Sequence, residues 1–425
     1  MTYWLLTGRT RPVLVVRPRE DSFGHQVYEF LMGAHMARRQ GAALAFWQPR
    51  RRANRAVFAL ECAQVEQLAG APRVAAVVKA WCAERMGAYR EATAAAVARW
   101  QRLVLDGLGR LEARAAWARG WRKRYKATLS APAPNAPADY FGLDFRVCYA
   151  RHPLTVRLLP RAEAEAREAA RRVGIDLDAR LVAVHARESG FKQGRGGESP
   201  ADAIRNARIE TYVPALALLV ARGFTVVRIG DPLMTPLRQP GMIDLATSPG
   251  RTDALELWVL MRSALFIAGD SGPFAAALLS PAPCLAVNVT NVLGGYPVRR
   301  GDRYILKRVF DRQRGRELTL SEILEPDYFS GRKDLDRYRV VDNTEDDIVV
   351  AVEEMLDVMS GRDKPSEAQG RFHVWADASY NSVAVAARRT RKGEPAVQLL
   401  GDGRIGRAFA EGMMATREGL LSGSS

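Results

Sequence analysis

Four short polar stretches each follow an apolar run, and each carries residues able to hold an anion. They are Val184-His185-Ala186-Arg187-Glu188-Ser189-Gly190, Val227-Arg228-Ile229-Gly230-Asp231-Pro232, Ile267-Ala268-Gly269-Asp270-Ser271-Gly272-Pro273 and Val287-Asn288-Val289-Thr290-Asn291. The third is the most mechanistic. An apolar run that enters Gly-Asp-Ser-Gly-Pro and then Phe274-Ala-Ala-Ala-Leu-Leu should open a helix at Pro273, because proline suits the first helical turn. The amides of such a start, near Ser271, Gly272 and Phe274, suit a phosphate or diphosphate, and the helix dipole adds to their pull. An ordinary strand-to-helix turn uses the same small residues. Arg187 offers a planar fork to phosphate oxygens and can neutralise charge on a departing group; a salt bridge to a nearby carboxylate is its plainer use. His185 shares a strand face with Arg187, so both meet a ligand or both are structural. Lys192, among Gly190, Gly194, Gly196 and Gly197, adds a further cation.

Elements of the right kind surround these residues. After Pro160 the chain alternates: helix over 161–173, strand 181–187, helix 209–222, strands 224–229 and 243–246, helix 253–262, strand 264–268, helix 273–280 and strand 284–289. Strands separated by helices predict a parallel, doubly wound sheet, whose ligands bind beyond the carboxyl ends of the strands. All four polar stretches would then line one crevice. The N-terminal part also opens as β-loop-α-β. Pro12 to Pro18 is a buried strand, Arg19 to His25 a loop, and Val27, Phe30, Leu31 and Ala34 lie at helical spacing before Gly41 and a second strand at 42–47. Residues 53–129, rich in Ala, Arg, Glu and Leu, predict two or more long helices, and Ala131–Pro137 a linker. A capped, acidic first turn at Asn343-Thr-Glu-Asp-Asp opens a last helix. The tail after about Gly361 is weakly patterned, with short runs at 381–387 and 397–400 that could pack back on the N-terminal domain. The expected organisation is residues 1–160, with the helical insertion, then 161–360 with the candidate site, then the tail 361–425.

Composition narrows the class. A chain of 425 residues, 48% hydrophobic and 26% charged, is globular and long enough for two domains. Its apolar runs fall far short of the ~18 residues that span a bilayer, and its first residues lack the pattern of a secretory leader, so the expected location is the cytoplasm. Cys62, Cys82, Cys148 and Cys284 are widely spaced, which argues against a zinc site or disulfide framework. The net charge of +16 concentrates in arginines and lysines over 99–126 without a nucleic-acid motif. That face suits solvent, an acceptor or the anionic inner face of a membrane, where a peripheral position is compatible with it. Asp176-Leu-Asp178 and Asp334-Leu-Asp336 read as surface turns and not as metal ligands. Neither domain has a G-x-G-x-x-G after its first strand, which argues against a dinucleotide oxidoreductase.

At the level of motifs, the H-x-R of His185–Arg187, the G-D-P-L-M-T-P of Gly230–Pro236, and the R-N-x-x-I-x-T-Y of Arg205–Tyr212 resemble a family of bacterial glycosyltransferases. The likeness covers about 180–300 well and the first 50 residues loosely. More distantly, the H-x-R loop is similar to that of GDP-fucose-dependent fucosyltransferases of the GT-B fold. The resemblance implies two facing Rossmann-like domains and a nucleotide-diphosphate sugar (GDP-, UDP- or dTDP-linked) as donor substrate, with no cofactor. It places Arg187 on the donor diphosphate, Asp231 near the base and ribose, and Ser271 in the phosphate loop, with His185, Asn206, Arg228, Gly230, Asp270, Gly272, Pro273 and Phe274 around them. The acceptor would be a carbohydrate, a lipid-linked sugar or a protein or peptide, taken by the N-terminal domain. The chain departs from the fucosyltransferase pattern at Glu188-Ser189-Gly190, which leaves sugar and base open. Arg187, Lys192 and the helix-start amides can meet the leaving-group charge, so no metal is demanded. An inverting reaction would need a base, for which Glu20, Asp21 and His25 are candidates; a retaining one would not. The alternative is a non-catalytic, transferase-like module that binds an anionic glycan or membrane surface through its arginine-rich helices.

Overall fold

The computed structural model describes residues 2–6, 13–17, 23–46, 54–68, 153–189, 200–290, 299–325, 328, 334–387 and 403–422. By its internal contacts the chain divides into two units, Met1–Tyr140 with Leu154–Arg157, and Phe141–Pro153 with Leu158–Ser425.

The first unit holds β1 (Thr2–Leu6), β2 (Val13–Arg17), α1 (Phe23–Arg39) and β3 (Ala43–Phe46). After a 3-10 turn at Arg55–Ala59 come β4 (Leu60–Cys62) and β5 (Gln67–Leu68). Its sheet runs β1-β2-β3-β5, with β1 antiparallel to β2 and the others parallel. Valines and leucines that are buried on both faces explain the continuous apolar run of β2. The close fit of α1 on this sheet depends on a missing side chain, since a Cβ on Gly33 would stand 2.8 Å from Val16 Cγ2. Gly41, at φ +59, turns the chain out of α1 in the left-handed conformation that glycine adopts without a steric penalty. The expected β-loop-α-β opening is therefore present. The long helices expected from residue 53 are not present over 54–68. There Asn54 Oδ1 accepts from Ala56 N at 2.9 Å and caps only a short turn, and β4 then pairs with β6 (Val156–Leu158). Strand pairing has overridden helical propensity. Residues 69–152, which carry the rest of the expected insertion, its basic face and the linker, lie outside the described residues.

In the second unit, α2 (Pro160–Arg172), β7 (Leu181–His185), α3 (Pro200–Ala203), a 3-10 turn at Ile209–Tyr212, α4 (Val213–Ala221), β8 (Thr225–Arg228) and β9 (Met242–Asp244) come first. Then follow α5 (Asp253–Arg262), β10 (Leu265–Ala268), a 3-10 helix at Gly272–Leu279, β11 (Cys284–Val289) and β12 (Arg303–Leu306). A small antiparallel sheet, β13 (Arg308–Asp311), β14 (Arg316–Glu317) and β15 (Tyr338–Val341), carries α6 (Leu320–Ile323) between its last two strands. The chain closes with α7 (Glu345–Met359), α8 (Glu367–Ala387), β16 (Arg404–Ile405) and α9 (Arg407–Ser422).

Among the described residues the main sheet has seven strands, all parallel, in the order β16-β12-β11-β10-β7-β8-β9. Local chemistry sets the helices. Thr252 Oγ1 accepts from Leu255 N at 3.1 Å at the start of α5, and Thr344 and Asp347 form a reciprocal capping box on α7. The buried Trp258 indole donates to Glu163 of α2 at 3.0 Å. Residues after 361, expected as a weakly patterned tail, instead add an edge strand to this sheet and two helices to this unit. The run at 381–387 belongs to α8, and 397–400 lies outside the described residues. The described thiols, Cys62 and Cys284, are free and buried. Among the described residues no helix is long and apolar enough to cross a membrane.

Candidate functional site

Reading outward from β7, the strands β8 and β9 lie on one side and β10, β11 and β12 on the other. The winding therefore reverses between β7 and β10, and in open α/β sheets the crevice beyond the strand ends at such a reversal is where ligands bind. The ends that border it are His185–Arg187 and Ala268–Ser271, joined by the Gly269 N to His185 O bond at 3.1 Å.

Burial governs His185. Its Nδ1 lies 3.1 Å from the Ile229 carbonyl, which can only accept, so Nδ1 carries the proton and donates. Burial, aided by the Arg228 and Arg187 charges, pushes its pKa down to about 4 against the carbonyl's opposing effect. At neutral pH the ring is uncharged. It is not a phosphate-gripping cation. Arg187 is buried too, and its Nη1 donates to the Asp202 carbonyl at 2.9 Å and to Asn206 Oδ1.

Arg228 departs from expectation. Its side chain is wholly buried, with Nη2 2.5 Å from Glu188 Oε1 and Nη1 3.2 Å from Asp244 Oδ2, and it also donates to Thr235 O at 2.6 Å. It braces the loop after β8 and is not presented to a ligand. Gly230 begins that loop at φ +147, and a Cβ there would meet Met234 Sδ at 2.5 Å and His185 Nδ1 at 3.1 Å. Asp231 Oδ1 accepts from Leu233 N at 2.9 Å, closing an Asx turn.

Beyond β10, Asp270 accepts from the Thr290 hydroxyl, which ties it to the end of β11. Ser271 precedes the helix with extended backbone, and its Oγ is buried with no hydrogen-bond partner among the described residues. Such an orphaned hydroxyl at a strand end suits a ligand oxygen. The helix start differs from the expected one: it is 3-10, Pro273 has no N–H, and the Phe274 amide donates to Ser271 O at 3.2 Å. The amides able to meet an anion narrow to those of Ser271 and Gly272.

Lys307, one residue past β12, has no place in the sequence-based site. Its ammonium donates to Asp342 Oδ1 at 2.7 Å and to Asn206 O. Burial lowers its pKa, Asp342 and Asp270 oppose that, and Arg187 adds to it. Arg187, Asp270 and Lys307 thus share one electrostatic neighbourhood across three strand ends. The one hint in sequence is a lysine directly after the run Tyr304-Ile-Leu. Asn288, in the fourth of the polar stretches, takes a structural part. At φ 56 it is the sole non-glycine residue with positive φ among those described, and it exchanges backbone-to-amide bonds with Asn343 at 2.6 and 2.7 Å. Its amide also reaches Tyr212 Oη at 3.3 Å.

A cavity of about 260 Å³ adjoins this cluster, walled by Glu188, Ser189, the 206–210 segment, Thr235 and Asp342. Of the residues that the resemblance assigns to the donor, only Asn206 lines it, beside Glu188 and Ser189 of the first polar stretch. Glu20, Asp21 and Lys192 lie outside the described residues; His25 lies in the first turn of α1, and its side chain is outside them too. Asp178 N and Asp336 N donate to Asp176 and Asp334 carboxylates at 3.0 and 3.1 Å, so both aspartate pairs form turns. Among the described residues no three or more His, Cys, Asp or Glu side chains gather as metal ligands would.

No protein-family model matches the chain, and no curated protein matches it. Among solved structures it is similar to the ADP-heptose LPS heptosyltransferase II of E. coli, at 14% identity and TM-score 0.37 over 70% of this chain and 90% of that one. It is also similar to a family 9 glycosyl transferase from Veillonella parvula, at 12% identity and TM-score 0.35 over 80% and 99% of the two chains. A third is the NodZ alpha-1,6-fucosyltransferase soaked with GDP-fucose, at 14% identity and TM-score 0.31 over 63% and 92%. All three are glycosyltransferases.

Proposed function

We propose that the second unit binds a nucleoside-diphosphate sugar at the β7/β10 reversal and that the protein transfers the sugar to an acceptor hydroxyl. One observation carries the reading. The strand order reverses where Arg187 follows one strand and the orphaned Ser271 hydroxyl follows the next. In the reaction a bond forms from the acceptor oxygen to the anomeric carbon. The bond from that carbon to the diphosphate oxygen breaks, its electron pair leaves with the nucleotide, and the acceptor proton passes to a base. Charge grows on the departing diphosphate. The reading assigns its neutralisation to Arg187, the Ser271 hydroxyl and the amides of Ser271 and Gly272, which follow adjacent strands, with Lys192 as a further candidate. Glu20, Asp21 and His25 remain the candidates for the base. With protein cations assigned to the leaving group, transfer should survive chelation by EDTA.

Thermal unfolding with UDP, GDP, CDP and dTDP tests the reading. One of them should stabilise the protein by ~2.7 kcal/mol at a hundredfold excess over its dissociation constant. Arg187→Lys, which keeps the charge and loses the fork, should remove most of that shift. If none of the four nucleotides shifts the wild-type transition, the reading is wrong.

A further inference from the structure

Three residues on the wall of the cavity are held from several strand ends at once. Asn206 Oδ1 accepts from Arg187 Nη1, and Asn206 O accepts from Lys307 Nζ. Ala207 N donates to Arg187 O at 2.9 Å, and Arg208 N donates to Asp342 Oδ2 at 3.4 Å. Asp342 is in turn the counter-ion of Lys307, at 2.7 Å. The lysine thus reaches both the residue that receives the Arg187 fork and the carboxylate that fixes the next turn of that segment. Its side chain is only 3% exposed. An ammonium buried this far is costly, and an apolar pair of similar volume often holds a fold together as well or better. Cross-linking alone gives little reason for a cation here.

We infer that Lys307 is a positioning residue of the proposed donor site: it fixes Asn206, and through Asn206 holds the Arg187 guanidinium in the orientation that meets a diphosphate. The inference rests on the reading of the previous section. Lys307 does not touch the donor; it acts through Arg187. Its loss and the loss of Arg187 should therefore not add.

Calorimetric titration of the full chain with whichever of UDP, GDP, CDP or dTDP stabilises the wild type gives the first test. Lys307→Met should weaken binding by about tenfold or more, and the Arg187→Ala/Lys307→Met double variant should bind within about twofold of Arg187→Ala alone. Wild-type affinity in Lys307→Met, or losses that add in the double variant, would overturn the inference. A merely structural lysine would lower the melting temperature and leave the losses additive. A crystal structure of Lys307→Met without nucleotide decides the matter separately. Arg187 Nη1 should leave Asn206 Oδ1; if the contact persists, the inference falls even if nucleotide binding stands. If the wild type binds no nucleotide, the proposed function fails on its own, and that structure still tests the hold of Lys307 on Arg187. Should Lys307→Met not fold, Lys307→Gln carries both measurements.

Discussion

At the scale of single residues, the site is a set of ionisable groups whose burial decides their chemistry. His185 is the clearest case. Its pKa of about 4 in the folded protein lies below the 6.5 of an unperturbed histidine, so the unfolded chain takes up the proton first as pH falls. Its contribution to stability is complete above about pH 6.5 and is lost as pH drops toward 4, by roughly 3 kcal/mol in all. His185→Asn places an amide N–H where Nδ1–H stands and cannot be protonated. Urea unfolding at pH 7 and pH 4.5 should show a smaller loss for the variant than for the wild type; equal losses would mean that His185 is not the titrating group. The same burial changes what can be expected of Arg187. Its replacement by alanine removes two buried hydrogen bonds, to Asn206 Oδ1 and to the Asp202 carbonyl, so Arg187→Ala should cost about 1–3 kcal/mol of stability as well as ligand binding. A chemical-denaturation midpoint identical to that of the wild type would contradict the geometry. Sequence spacing correctly put His185 and Arg187 at one strand end, but it could not show that the histidine is neutral. It also could not find Lys307, because the partners of that lysine stand 101 and 35 residues away.

Elements explain why some of the fold could be read and some could not. Strands buried on both faces spell themselves out as apolar runs, so β7, β8, β10 and β11 are visible in sequence to within a residue or two. β12 hides because it begins with Arg303, a charge whose burial is compensated by Glu354 and Asp363 far along the chain. The segment 54–68 misleads in the other direction, since its helix-favouring composition is outweighed by pairing of β4 with β6, more than ninety residues on. Glycines show a similar division between what is local and what is not. Gly223 and Gly315 have positive φ with open space around them, whereas Gly230 combines φ +147 with contacts that a methyl group would invade. Gly223→Ala should therefore cost about 1 kcal/mol, for backbone strain alone, and Gly230→Ala about 2–4 kcal/mol, for strain plus displacement of Met234 and His185. Urea denaturation of the two variants side by side checks the ranking. Equal costs would mean that the β8 loop yields freely.

The second unit depends on contacts made by residues after 361, which nothing in their local pattern announces. Arg303, buried at the start of β12, holds Glu354 Oε1 at 2.9 Å and Asp363 Oδ2 at 2.5 Å. Glu354 is itself held from the C-terminal segment, by Gln369 Nε2 at 3.0 Å and by Arg407 N at 2.6 Å. Gln369 also donates to Ile405 O at 2.7 Å, and β16 covers the edge of β12 through Arg404 N to Asp302 O and Gly406 N to Tyr304 O. The fit is close, since a Cβ on Gly406 would stand 2.8 Å from Ile305 Cγ2. Ending the chain at residue 361 would remove one carboxylate from a buried guanidinium and two donors from a buried carboxylate. It would also bare a parallel edge strand to other chains. Breaking a buried ion pair on one side alone costs about 3–5 kcal/mol, a large share of the roughly 5–15 kcal/mol that holds a domain folded. The fragment 1–361 should therefore unfold or aggregate at room temperature, whereas Asp363→Asn in the full chain should stay folded with a lower melting temperature. Circular dichroism and size-exclusion chromatography distinguish the outcomes. A monomeric fragment that melts cooperatively within a few degrees of the full chain would show that the C-terminal segment is the dispensable tail its composition suggests.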